Sequence, residues 1–211
     1  CLNRYSGFRL GGFRGAFLRK NSLRKNNVSK NSSENIILIN ARLNTALKTK
    51  EKDMKLNTKD TNFLRQSFAL ADDAKKQGIH PFAAILVDDQ DKVIMSQVNG
   101  YLPDFDMTGH AERKLMTRAS KAYRPDFLAK CTMYVSAEPC AMCAGAAYWA
   151  GLGRVIYGLS EARLKEITGN HPENPTLNLP CRAVFESGQR KVDVIGPCLE
   201  DEAAALQEGV W

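Results

Sequence analysis

With 211 residues, 44% hydrophobic and 25% charged side chains, the chain has the make-up of an ordinary globular protein, which argues against wholesale disorder and against a membrane protein. Its formal charge of +7 is unevenly spread: residues 1–53 carry 12 Lys and Arg against 3 Asp and Glu, and the remainder carries 18 against 20. A slightly acidic body is poorly suited to gripping nucleic-acid phosphates, which takes clustered cations, and the longest weakly polar run, Ala141 to Leu152, is too short for a bilayer span of roughly 20 residues.

In chain order, residues 1–53 form a basic leader with no acidic residue before Glu34 and no helical or strand period. The composition fits a disordered tail, an organellar transit peptide or translation upstream of Met54. The fold is therefore sought in residues 54–211. From Thr58, the apolar residues Phe63, Leu64, Phe68, Ala71 and Ala74 recur at helical spacing, and Gly78 suits a helix end. The period then changes. Phe82 to Val87 and Val93 to Val98 read as two strands of a hairpin around the polar turn 88–92.

A helix is expected from His110 to Tyr123, closed before Pro125. There follow a buried strand Thr132 to Ser136, a small-residue helix Ala141 to Ala150, a strand Arg154 to Gly158 and a short helix Ser160 to Ile167. The stretch 168–180, with Pro172, Pro175 and Pro180, resists regular structure and is long enough to serve as a lid. Arg182 to Glu186 is expected to be helical, Lys191 to Ile195 a strand, and Leu199 to Glu208 a closing helix. Strand–helix–strand alternation calls for parallel pairing with helical crossovers. The expected class is α/β, a mixed five-stranded sheet with helices on both faces.

Chemistry concentrates in two short motifs, His110-Ala111-Glu112 and Pro139-Cys140-Ala141-Met142-Cys143. Catalytic zinc takes three protein ligands from His, Cys and carboxylate and keeps one position for water, whereas a structural zinc fills all four. A Cys-x-x-C pair at a helix start can direct both sulfurs to one ion, with the helix amides favouring thiolate. His110, at the start of an earlier helix, is the third ligand. Glu112 lies close enough to serve as proton shuttle for a zinc-activated water without ligating.

Alone, the cysteine pair fits a structural zinc half-site or redox pair as well as it fits any other role, and a lone His is more often a core residue. The combination is far more specific, matching the His-x-Glu and Pro-Cys-x-x-Cys signature of zinc deaminases. The pairing also favours a reducing compartment over a secreted, disulfide-bonded protein. Cytoplasmic location is expected, or organellar if the leader is a transit peptide. Cys131, Cys181 and Cys198 read as small buried residues.

On these motifs, together with Pro81-Phe82-Ala83-Ala84 and Asn99, residues from about Thr58 onward resemble the cytidine deaminase-like superfamily. The similar branch holds guanine deaminases, fungal-type cytosine deaminases and bacterial tRNA adenosine deaminases. The resemblance implies a three-layer α/β/α fold, one zinc ion per subunit and a homodimer. It also implies that Asn99 hydrogen-bonds the substrate ring and that Phe82 lines the base pocket, a turn-forming Asn and a core Phe being the plainer alternatives. The chain departs from the branch at Ala83, commonly Gly, and at Met107 and Gly109, commonly Pro and Ala.

The substrate signals conflict. Tyr148-Trp149-Ala150 is similar to guanine deaminases, and Gly153 to Gly158 to the tRNA enzymes. Residues 199–211 carry Glu200, Asp201, Glu202 and Glu208 and no Lys or Arg, a poor partner for RNA. The favoured expectation is a hydrolytic deaminase of a free nucleobase or nucleoside, with guanine or another aminopurine leading and cytosine or cytidine as alternative. A tRNA adenosine-to-inosine deaminase and a non-catalytic zinc-stabilised binding module are the competing readings. Trp149 is expected either to wall the pocket or to sit in the core. Glu161 either receives a ring N–H of the base or caps a helix. Trp211 either folds over the site or frays, and the sequence favours fraying.

Overall fold

The computed structural model describes residues 56–169, 171–172 and 174–211, so the basic leader and its expected boundary at Met54 lie outside the described residues. Helix α1 (Thr58–Lys76) starts where the Asn57 side chain accepts the Asp60 N–H, and it buries Leu64, Phe68, Ala71 and Ala74 along one face. Strand β1 (Ala83–Val87) is buried throughout, while β2 (Val93–Val98) is partly exposed. That contrast explains the continuous apolar run of the first strand: helices cover both of its faces.

Helix α2 (Ala111–Ala122) ends before Pro125, as expected, but a short helix α3 (Pro125–Leu128) follows where the sequence reading had no element. Proline ends one helix and opens the next because its fixed φ and missing N–H suit the first helical position. Then come β3 (Thr132–Ala137), α4 (Ala141–Ala150), β4 (Arg154–Leu159), α5 (Glu161–Thr168), α6 (Cys181–Glu186), β5 (Asp193–Ile195) and α7 (Glu200–Ala205). Helix α4 stops at Gly151, which takes a left-handed φ of 93° and lies so close to Pro125 that a Cβ would stand 2.9 Å from the proline Cβ.

The strand order is β2-β1-β3-β4-β5. The β1 strand pairs antiparallel with both β2 and β3, whereas β3–β4 and β4–β5 are parallel. Alternate side chains feed two cores. Ala84, Leu86, Met133, Val135 and Val155 pack with Leu115, Met116, Ala144, Ala147 and Phe185, and so against α2, α4 and α6. Ile85, Val87, Tyr134 and Ile156 pack with Leu64, Phe68, Leu164 and Ala203, and so against α1, α5 and α7. The result is the expected three-layer α/β/α arrangement around a mixed five-stranded sheet.

One polar cluster penetrates the second core. Asp60, at the start of α1, is buried and accepts hydrogen bonds from the Tyr134 hydroxyl at 2.6 Å and from Arg154 at 2.8 and 3.1 Å. It therefore ties α1 to adjacent strands β3 and β4. Among the described residues, no helix is long and apolar enough to cross a membrane.

Topology gathers the chemistry at one end of the sheet. The parallel strands β3 and β4 deliver Cys140 and Glu161 just beyond their carboxyl ends, where ligand sites of α/β sheets form. Because β1 and β2 run as a hairpin, with Ala83 opposite Val98, Phe82 and Asn99 arrive at that same end.

Candidate active site

His110 is the residue immediately before α2, and Cys140 holds the same position before α4; neither side chain caps its own helix. Both are thus available to a common point, and Cys143 joins them from the first turn of α4. The ligand atoms of His110, Cys140 and Cys143 lie within 4.8 Å of one another, with Cys140 Sγ 3.5 Å from His110 Nδ1. Zinc bonds of about 2.0 and 2.3 Å at a tetrahedral angle would separate nitrogen and sulfur by about 3.5 Å. The donor set and its spacing fit zinc, with three ligands and a fourth position to spare.

Electrostatics favour the same use. Hydrogen bonding from Cys143, with a further contribution from His110, pulls the Cys140 thiol down to about 4. His110 is raised above its ordinary value, chiefly by its hydrogen bond with Cys140. Glu112, buried in the first turn of α2, has a carboxylate oxygen 3.8 Å from Cys143 Sγ. Burial pushes its carboxyl up to about 7, against the pull of His110. A carboxyl poised near neutrality beside a metal site is suited to taking and returning a proton.

His110, Cys140 and Glu112 line a cavity of about 240 Å³ together with His80, Phe82, Asn99, Met142, Glu161, Leu164, Asn174 and Trp211. Phe82, Asn99 and Glu161 therefore meet Glu112 and the metal cluster around one space. The Asn99 side-chain oxygen accepts the Tyr101 N–H at 2.9 Å, which leaves its NH₂ as the end available to a ligand. Burial, followed by the charges of Cys140, Glu138 and Glu112, raises the Glu161 carboxyl to about 7. A second cavity of about 220 Å³ shares His80, Asn99 and His110 and reaches past Tyr101 and Met107.

Trp149 belongs to neither of the places the sequence suggested. Its side chain is 84% exposed and borders a surface depression with Tyr148, Pro125 and Arg190. The reason is helical phase: at roughly 100° per residue, Trp149 points well away from both Cys143 and the core-facing Ala144 and Ala147. Trp211 corrects the favoured expectation in the other direction. Rather than fraying, it stacks on His80 with centroids 5.1 Å apart, meets Phe82 at 6.2 Å and donates its indole N–H to the buried Gln207 at 3.0 Å.

Glu138 escaped the sequence reading. It is buried, and its two oxygens accept the backbone N–H groups of Glu161 and Cys181 at 3.1 and 2.9 Å. One carboxylate thus fastens the starts of α5 and α6 to the strand that leads into the cysteine pair. The available signal was an acidic residue directly before the Pro-Cys motif, at a strand end where exposure would be the ordinary expectation. Cys131 and Cys181 are buried and Cys198 is half-buried, in line with a packing role.

Residues 57–159 match the cytidine and deoxycytidylate deaminase zinc-binding region. A probable cytosine deaminase of Schizosaccharomyces pombe is 41% identical over 156 residues, spanning 74% of this chain and 94% of that protein. A tRNA-specific adenosine deaminase of Haemophilus influenzae is 35% identical over 139 residues, covering 63% of this chain and 80% of its own length. The structure of guanine deaminase from Nitrosomonas europaea superposes with a TM-score of 0.59 at 22% identity, over 74% of this chain and 86% of that one, which is a likeness of fold.

Proposed function

Because this chain belongs to the cytidine and deoxycytidylate deaminase zinc-binding family, whose members hydrolytically deaminate nucleobases or nucleosides, we propose that its own substrate is a free base, with guanine or another aminopurine first. The observation that carries this reading is the closed aromatic end of the pocket, where Trp211 lies over His80 and beside Phe82. A flat heteroaromatic ring is recognised by such an apolar slot with a few directed polar groups. The cavity is smaller than the roughly 300–1,000 Å³ pockets of drug-sized ligands, and so suits a single ring system.

The chain's own residues then have distinct tasks. His110, Cys140 and Cys143 hold zinc, which when bound supplies an activated water. Glu112 takes a proton and delivers it to the departing amino group, so that ammonia leaves and a carbonyl replaces the amidine carbon's C–N bond. Asn99 orients the ring through its NH₂, Phe82 contacts the ring's face, and Glu161 accepts a ring N–H. Trp211 and Phe82 keep bulk water from the reacting edge.

RNA as substrate is disfavoured by the charge at the closing helix. Glu202 pairs with Arg65 and Asp201 with Arg163, which consumes nearby cations instead of leaving them for phosphates. Cytosine is the second reading, supported by the 41% identity to the S. pombe protein. The proposal extends to a homodimer, for which the exposed Trp149 on α4 is suitable interface material.

Ammonia release by the zinc-loaded protein from guanine, 2,6-diaminopurine, guanosine, cytosine, cytidine and an adenosine-bearing anticodon stem-loop tests the assignment. The reading expects the free purine to give the highest kcat/KM, and a higher value for cytosine or the RNA overturns it. Glu112→Gln should keep the metal and lower the rate by about 10² to 10⁴. A non-catalytic zinc module would show no rate to lose.

A further inference from the structure

Buried polar atoms almost always find a hydrogen-bond partner, because one left without has lost its water and gained nothing in return. Among the described residues, three buried side-chain atoms have no partner in the protein: Thr168 Oγ1, Asn174 Nδ2 and Thr176 Oγ1. Asn174 is the one of these three that lines the catalytic cavity. Its neighbours Pro175 and Leu177 line the same wall. A proline directly after the asparagine restricts the backbone at both positions, so the amide is presented from a stiffened segment.

We propose that Asn174 is a specificity residue, whose side-chain NH₂ donates a hydrogen bond to an acceptor atom of the bound base. This inference deepens the base-deaminase reading and rests on it. Together with the NH₂ of Asn99, whose oxygen is engaged by Tyr101, the pocket offers two amide donors in addition to its acid–base carboxyls. Two donors select for a ring with two acceptors outside the amidine that reacts. Guanine has a carbonyl oxygen and the unprotonated imidazole nitrogen. Cytosine has its carbonyl oxygen alone. Asn174, Pro175 and Leu177 of the Pro-rich stretch thus supply a recognition contact as well as a wall.

The test is steady-state kinetics of the zinc-loaded full chain carrying Asn174→Ala or Asn174→Asp, on guanine and on cytosine. The alanine variant should raise KM for guanine about ten- to a hundredfold, the factor expected for a lost buried hydrogen bond, with kcat within a few-fold of wild type. The aspartate variant should be worse still, since it turns a carboxylate oxygen toward the acceptor. Any cytosine turnover should change less, so the guanine-to-cytosine ratio of kcat/KM falls. Zinc content and thermal unfolding serve as controls and should match wild type.

Unchanged KM in both variants overturns the proposal. If the wild type deaminates cytosine and not guanine, the purine reading fails by itself. The KM of the two variants for cytosine then decides the role of Asn174: a rise of tenfold or more upholds the contact, and no rise removes it.

Discussion

The carboxylate of Glu138 accepts the backbone N–H of Glu161 at 3.1 Å, and its other oxygen accepts that of Cys181 at 2.9 Å. A buried anion therefore sits against the first residues of two helices, where free N–H groups and the helix dipoles favour negative charge. The contact also fixes where the Glu161 side chain enters the pocket. Glu138→Ala would leave two N–H groups without an acceptor and should destabilise the fold by about 2–5 kcal/mol, as read from urea unfolding. Glu138→Gln, which keeps one acceptor oxygen, should lose roughly half as much. An alanine variant as stable as wild type would show that the clamp holds nothing.

Glu161 gives a pH signature. Burial and its anionic neighbours raise the carboxyl from 4.5 to about 7. Between these values the folded chain binds the proton more tightly than the unfolded one. The group's favourable contribution to folding is therefore complete below about pH 4.5 and lost as pH rises through about 7. If the carboxylate accepts a ring N–H, kcat/KM has an acid limb near pH 7. Glu112 is raised to the same range, so Glu161→Gln should reduce that limb from two ionisations to the one of Glu112 and flatten the fall in stability across the same window; a limb of unchanged steepness in the variant would show that Glu161 does not contribute to it.

Trp211 and Gln207 act as a pair. Gln207 takes the indole N–H at 3.0 Å and reaches the Pro81 carbonyl with its own NH₂ at 3.4 Å, so it holds the ring next to the segment carrying His80 and Phe82. Trp211→Ala should raise KM for the base by about three- to tenfold, the range of aromatic pair energies, with a smaller change in kcat. Gln207→Leu should give a weaker version of the same effect. Equal KM values in all three proteins would place Trp211 outside the substrate's reach.

Asp60 is expected to matter for stability without touching the site. Asp60→Ala removes the acceptor for the Tyr134 hydroxyl and leaves the partly exposed Arg154 unpaired. The cost should be about 2–4 kcal/mol. Zinc affinity and KM should remain those of wild type at temperatures where the variant is folded, and calorimetry alongside metal titration separates the two. A shift in metal binding would mean that the anchoring of α1 reaches the active site.

Much of the fold was legible because its periods are strong. The apolar run Phe82 to Val87, the small-residue helix Ala141 to Ala150 and the helical spacing from Phe63 to Ala74 each declare their environment in one dimension. Pro125 was legible as a stop but not as a start, since one residue served both roles. The metal motif was legible because chelation imposes residue type and spacing together. Asn99 and Phe82 were reached through family resemblance, and both line the cavity. Glu138 and Asn174 resisted because an Asp or Glu at a strand end, or an Asn beside Pro, is ordinarily a surface turn former.

The sequence by itself determined the α/β class, the metal-binding chemistry of His110, Cys140 and Cys143, and the proximity of Glu112, since these depend on local spacing and side-chain chemistry. Tertiary structure decided which distant residues share the pocket. Helical phase turned Trp149 outward, and a hydrogen bond donated to Gln207 brought Trp211 inward. The pairing of strands and the docking of helices set those directions, and such long-range geometry leaves no periodic trace along the chain.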